Sequence, residues 1–200
     1  MSKTVEYFFA PQSPYAYLGH DRFISMAKKS HATVIIKPFD VVKVFSLSGG
    51  VPVAQRPLQR QAYRLVELQR WSSYLQKPLV LHPAFFPVNG DPGSKLIIAT
   101  QQAYGTEQAL TLAGALGKAV WVEEKNIADL TTLEEIATNL QLDGAKLVAA
   151  IESEAVLKLF NQHTEEAIAA QVFGVPWYRI DGEDFWGQDR LDFVERALHP

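Results

Sequence analysis

Tyr7-Phe8-Phe9-Ala10-Pro11-Gln12-Ser13-Pro14-Tyr15-Ala16-Tyr17-Leu18-Gly19 carries the chain from an apolar strand, through a proline-marked break, straight into a helix. The strand runs from Thr4 to Phe9, where β-branched and aromatic residues dominate, and Ala10-Pro11 ends it. Ser13 then falls at the N-cap and Pro14 at the first helical position, the places each residue type favours locally. Helical spacing continues from Tyr15 to Lys29, with Tyr15, Leu18, Phe23 and Met26 among the apolar positions. The stretch therefore sets one hydroxyl on a helix N-terminus.

Working outward, Thr33-Val34-Ile35-Ile36-Lys37-Pro38-Phe39 reads as a second strand, so the chain opens as βαβ. After Asp40 a loop marked by Ser48-Gly49-Gly50-Val51-Pro52 leads to a helix from about Pro57 to Tyr74, and a proline-rich loop spans Lys77 to Gly93. Helical patterning holds over Ser94 to Tyr104, Thr106 to Glu124 and Ser153 to Gln171, with a short helix starting at Asp143. Thr131-Thr132-Leu133-Glu134-Glu135 supplies a capping box for one more helix. Val172 to Ile180 reads as strand, Asp181-Gly182 as a two-residue hairpin turn, Glu183 to Trp186 as the return strand and Asp189 to Leu198 as a closing helix. The order is βαβ, a long helical segment, then ββα. Pairing all four strands makes a mixed α/β sheet from residues 1–45 and 170–200, with 46–169 as a helical insertion.

Composition narrows the chemistry. The 200 residues are 48% hydrophobic with a formal net charge of -3, and no basic run points to nucleic acid or an anionic membrane surface. A small-molecule substrate is the better match. There is no cysteine, hence no disulfide, thiolate metal site or redox pair of the chain's own. No apolar run approaches the roughly 18 residues of a membrane span and the start lacks a signal-peptide pattern, so the chain reads as soluble and cytoplasmic. None of the five histidines has metal-ligand spacing, and no phosphate-cradling glycine motif is present, so neither a metal nor a nucleotide is expected.

Three motifs together go further: Ser13-Pro14-Tyr15-Ala16-Tyr17-Leu18, Phe173-Gly174-Val175-Pro176 and Trp186-Gly187-Gln188-Asp189-Arg190-Leu191. In type, order and spacing the chain resembles the 2-hydroxychromene-2-carboxylate isomerases and the kappa-class glutathione transferases along essentially its whole length. The resemblance implies a thioredoxin-like fold with the helical insertion of the DsbA-like branch, glutathione as cofactor, and a homodimer. Where cysteine-bearing relatives of this layout place a thiol, the chain has Ser13. Any sulfur chemistry must then use a borrowed sulfur.

The resemblance also implies roles. Ser13 would poise the glutathione thiolate. A helix N-terminus stabilises an anion by roughly 0.3–2 kcal/mol, and a hydroxyl donating to it adds about 1.5–3 kcal/mol. At about 1.36 kcal/mol per unit, the two lower a thiol pKa by about one or two units from near 8.5. Ser13 lies in no Gly-x-Ser-x-Gly elbow, so it reads as a donor and not as a hydrolase nucleophile. Val175 would pair its backbone with glutathione beside a cis Pro176, and Trp186, Gly187, Gln188 and Asp189 would hold the γ-glutamyl end. Asp189 also sits where an N-cap for the last helix would be.

By the same resemblance Arg60 falls near a lysine that helps hold glutathione in the kappa enzymes. Gln55 and Arg56 match a pair that contacts the carboxylated substrate, Phe86 matches a pocket aromatic, and Asn89 and His82 are polar neighbours of that loop. Two positions depart from the pattern. Phe45 stands where the isomerases carry a substrate-binding lysine, with Lys43 two residues earlier, and Gly50 stands where kappa enzymes carry an asparagine. The activity implied is isomerisation of a chromene or enone carboxylate by reversible thiol addition. Conjugation of electrophiles, or a binding module that lost its cysteines, are the alternatives.

Overall fold

A computed structural model describes residues 2–199. The sheet has four strands in the order β2-β1-β3-β4, from β1 (Thr4–Phe9), β2 (Thr33–Pro38), β3 (Trp177–Ile180) and β4 (Glu183–Trp186). β1 pairs parallel with β2 and antiparallel with β3, placing Tyr7 opposite both Ile36 and Tyr178. Asp181 and Gly182, with φ of 51° and 87°, turn the antiparallel β3–β4 hairpin as expected.

β1 is covered on both faces over its second half. Val5, Tyr7 and Phe9 enter a core shared with α1 (Pro14–Lys29), while Phe8 and Ala10 enter a second cluster with Phe39, Val41 and Val44. The first core is aromatic at its centre: Tyr7 and Tyr178 stack at 5.2 Å with planes 3° apart, and Phe23 lies 4.6 Å from Tyr7. Pairs of this kind contribute about 0.5–1.5 kcal/mol beyond burial. They fix β1, β3 and α1 to one another, and so hold the start of α1 against the sheet.

Between the two sheet halves lie α2 (Val41–Ser48), α3 (Leu58–Leu75), α4 (Asp91–Tyr104), α5 (Thr106–Trp121), α6 (Leu130–Asn139), α7 (Gly144–Ala150) and α8 (Glu154–Ala169); α9 (Leu191–Leu198) closes the chain. The main core runs from the sheet through Leu96, Leu112, Leu116 and Trp121 without a break. Four details differ from the sequence reading, the first being that the strand expected from Val172 begins only at Trp177, so that Val172–Pro176 is loop. Val41–Ser48 is a helix, capped by Asp40 accepting from the Lys43 N–H and ended by Gly49 at φ 76°, so the expected boundary at residue 45 falls inside it. The cap of α6 is Asp129, whose carboxylate accepts from both the N–H and the hydroxyl of Thr132; the threonine-glutamate pattern two residues on does not set the start. The last helix begins at Leu191, after a 3₁₀ turn over Gln188–Arg190. Asp189 caps nothing and pairs with Arg190 instead. Among the described residues no helix is long and apolar enough to cross a membrane.

Candidate active site

Ser13 is the N-cap of α1, in extended geometry at φ -77° and ψ 124°. Its Oγ accepts from the Ala16 N–H at 3.2 Å and donates to the Val175 carbonyl at 3.4 Å. The first is an ordinary cap bond. The second is long, so this hydrogen can be redirected to a better acceptor at small cost. The first turn of α1 has no acidic residue to oppose the helix dipole.

The Val175-Pro176 peptide is cis, as the resemblance implied, and so is Phe86-Pro87, which no motif announced. Among the described residues the Val175 N–H has no hydrogen-bond partner, which leaves a main-chain donor beside Ser13. That leaves the loop an edge on which an extended peptide can pair.

Ser13 and Val175 line a cavity of about 510 Å³, within the usual range for small-molecule sites. Its walls are Tyr15, Phe45, Val51, Val53 and Phe86 on the apolar side, Phe173 and Trp186 at the sheet end, and Arg56, Arg60 and Arg64 along α3 and its approach. A second cavity of about 290 Å³ adjoins it, sharing Tyr15, Val175 and Trp186, and is walled by Glu67, Gly187, Gln188 and Asp189. The larger hollow carries three arginines and no carboxylate, the smaller two carboxylates and Arg190, and Val175 and Trp186 line both. That polarity fits a zwitterionic peptide laid across both: ammonium toward Glu67 and Asp189, carboxylate toward the arginines.

Of the residues singled out from sequence, Ser13, Arg56, Arg60, Phe86, Val175 and Trp186 meet at the larger cavity, and Gly187, Gln188 and Asp189 at the smaller. Gly187 has φ 103°, and a side chain there would press on the Asp189 carboxylate, so glycine is required. Gln188 is buried, with Oε1 accepting from Arg22 at 3.1 Å, and its side chain is held inside the fold. The Asp189 carboxylate already meets Arg190 at 2.7 Å. A ligand ammonium would share that carboxylate or displace the arginine.

Lys43, Gln55, Asn89 and His82 line neither cavity. Lys43 pairs with Glu165, and the Asn89 side chain accepts from the Asp91 N–H two residues on, the local turn its residue type favours. Phe45 and Gly50 do line the larger cavity, so the two departures from the family pattern lie on its wall.

The profile of the DSBA-like thioredoxin domain family matches residues 4–199. The 2-hydroxychromene-2-carboxylate isomerase of Pseudomonas putida is 30% identical over 197 residues, covering 97% of this chain and 93% of its own. The chain belongs to the 2-hydroxychromene-2-carboxylate isomerase family of DsbA-like thioredoxin domains. A solved structure of a 2-hydroxychromene-2-carboxylate isomerase superposes with a TM-score of 0.82 at 27% identity, covering 98% of this chain and 94% of that one. Human glutathione S-transferase kappa 1 is 24% identical over 208 residues, covering 99% of this chain and 92% of its own. The family is one of enzymes, with isomerases and kappa-class transferases both among the relatives.

Sequence reading missed Tyr15, Glu67 and Arg64. Tyr15 is two residues from Ser13 and lines both cavities, yet its place in the apolar spacing of α1 marks it only as core. Burial pushes its hydroxyl pKa up, with Arg64 pulling the other way, so it is a neutral donor. Glu67 and Arg64 lie on α3, whose mixed surface gives no sign of which face meets the cavity.

Proposed function

We propose that this protein is a glutathione-dependent cis–trans isomerase of the 2-hydroxychromene-2-carboxylate type, acting on a planar conjugated carboxylate from aromatic breakdown. The observation that carries the reading is the Ser13 hydroxyl, at the head of a 16-residue helix and 3.4 Å from the Val175 carbonyl, in a cavity of a chain without cysteine. The named activity of the curated isomerases supports the substrate class.

Bound glutathione would supply a thiolate for reversible addition to the conjugated carbon, allowing rotation about the former double bond before elimination returns it unchanged. Ser13, whose hydroxyl donates to the Val175 carbonyl through a long bond, would be the donor to that thiolate, and the helix N-terminus would lower the energy of the anion. Val175 orients the peptide backbone through its unpaired N–H. Asp189 and Glu67 hold the ammonium end. Phe45 and Phe86 pack the planar body of the substrate and keep water from it. The arginines along α3 lie where the negative charge that develops on the substrate oxygen needs a partner.

The reading is tested by following 2-hydroxychromene-2-carboxylate by absorbance with and without glutathione. Conversion that requires glutathione and leaves its concentration unchanged is the expected result. A second reading, glutathione conjugation of an electrophile, is favoured by Phe45, which makes apolar a wall where the isomerases carry a lysine. Depletion of glutathione on turnover of a chloronitroarene would select it.

A further inference from the structure

Arg60 and Arg64 stand one helical turn apart on α3, with Arg56 just before the helix, and all three line the larger cavity. They differ in what they already hold. The Arg56 Nε donates to the Val51 carbonyl at 2.7 Å, and Arg60 is exposed to solvent. Arg64 lies with its guanidinium carbon 5.1 Å from the Phe86 ring centre and 5.8 Å from that of Trp121. Among the described residues it makes no ion pair, and its Nη2 is sealed from solvent with no acceptor. The nearby carboxylates are engaged elsewhere, Glu67 with Arg70 and Asp189 with Arg190.

Stacking on two rings accounts for where the guanidinium lies, but it satisfies none of its N–H groups. An unpaired charge in a part-buried position is costly unless something completes it. Burial is the largest influence lowering the pKa of Arg64, and Arg56 adds to it. A bound anion would oppose both by supplying the missing countercharge. The surrounding walls, Phe45, Val51, Val53 and Phe86, are apolar and suit a flat body attached to that anion.

We propose that Arg64 is the anion receptor on the electrophile side of the cavity, taking the carboxylate of a planar conjugated acid whose body packs on Phe86. As an account of turnover this rests on the isomerase reading. As an account of binding it is independent of glutathione. Arg64 then divides the work with Ser13: one end of the cavity holds the substrate's charge, the other the attacking sulfur. Arg60 is left for the cofactor.

The test titrates trans-cinnamate and its neutral amide, cinnamamide, into the protein by calorimetry, with no glutathione present. Wild type is expected to prefer cinnamate by about thirtyfold, Arg64→Leu to lose that preference, and Arg64→Lys to keep part of it. Thermal unfolding accompanies each variant, and Arg64→Gln replaces the leucine variant if that one does not fold. Equal binding of acid and amide by wild type, no binding of either, or an undiminished preference in the uncharged variant would overturn the proposal. Turnover of 2-hydroxychromene-2-carboxylate separates the two readings. Arg64-dependent cinnamate binding without glutathione-dependent turnover contradicts the isomerase reading alone, whereas turnover with Arg64-independent binding contradicts the receptor alone.

Discussion

Ser13 and Val175, 162 residues apart in sequence, meet through a single 3.4 Å hydrogen bond from hydroxyl to carbonyl. That contact ties the head of α1 to the loop before β3, and it places the hydroxyl between a helix N-terminus and an unpaired main-chain donor. On the proposed function the hydroxyl has two separable duties: its cap bond to Ala16 serves stability, and its weaker donor bond is the one given up to the bound thiolate.

Ser13→Ala separates them. Losing the cap costs about 0.5–2 kcal/mol, read as a lower midpoint in thermal or urea unfolding with the cooperative transition retained. Ser13→Gly should recover most of that stability, because glycine is nearly as good a cap. It should not recover glutathione-dependent turnover. Full activity in either variant would remove the donor role.

Gly174 bears on Trp186. A β-carbon at position 174 would come within 2.5 Å of the indole nitrogen, and Trp186 lines both cavities. Gly174→Ala must therefore move the ring, at about 1–3 kcal/mol if the neighbourhood cannot relax. The expected signs are a shift in tryptophan emission and weaker glutathione binding by calorimetry. Unchanged emission together with unchanged affinity would mean that Trp186 is not held where the cavity needs it.

Histidine burial sets an acid limit. His20 donates from Nε2 to the Leu110 carbonyl at 2.8 Å, so Nδ1 accepts from the Tyr7 hydroxyl at 3.2 Å, and burial pushes its pKa down to about 4. His163, beside the Pro38 carbonyl, is shifted in the same direction. The unfolded chain binds protons here more readily than the folded one, so stability falls as pH drops from about 6.5 towards 4. For His20 the loss is on the order of 3 kcal/mol by that linkage. Unfolding midpoints measured across this range should decline, and less steeply in His20→Gln. A variant with the same slope as wild type would locate the acid sensitivity elsewhere.

How much of this was legible in the sequence follows from which signals are local. β1, α1, β2 and the closing hairpin were readable because apolar spacing, Ser13-Pro14 and Asp181-Gly182 act within a few residues. The helix Val41–Ser48 was not, since Val41, Val42 and Val44 suit a strand and the Asp40 and Gly49 caps outweigh them only in context. Asp189 looked like a cap because it precedes an apolar run, but a 3₁₀ turn intervenes and starts α9 two residues later. Of the residues that line the cavities, those around Ser13, Val175 and Trp186 stood out in the sequence because each belongs to a contiguous pattern. Arg64 and Glu67 were not, because their meaning depends on which face of α3 the fold turns toward α1.

The proposed function stands on one step, the poising of a borrowed thiolate by the head of α1 and the Ser13 hydroxyl. It is tested most directly by titrating the ultraviolet thiolate absorbance of bound glutathione against pH, in wild type and in Ser13→Ala. The expected result is an apparent thiol pKa about one or two units below 8.5 in wild type, moving back upward in the variant. A bound thiol that titrates like free glutathione in wild type, or identically in both proteins, would contradict it.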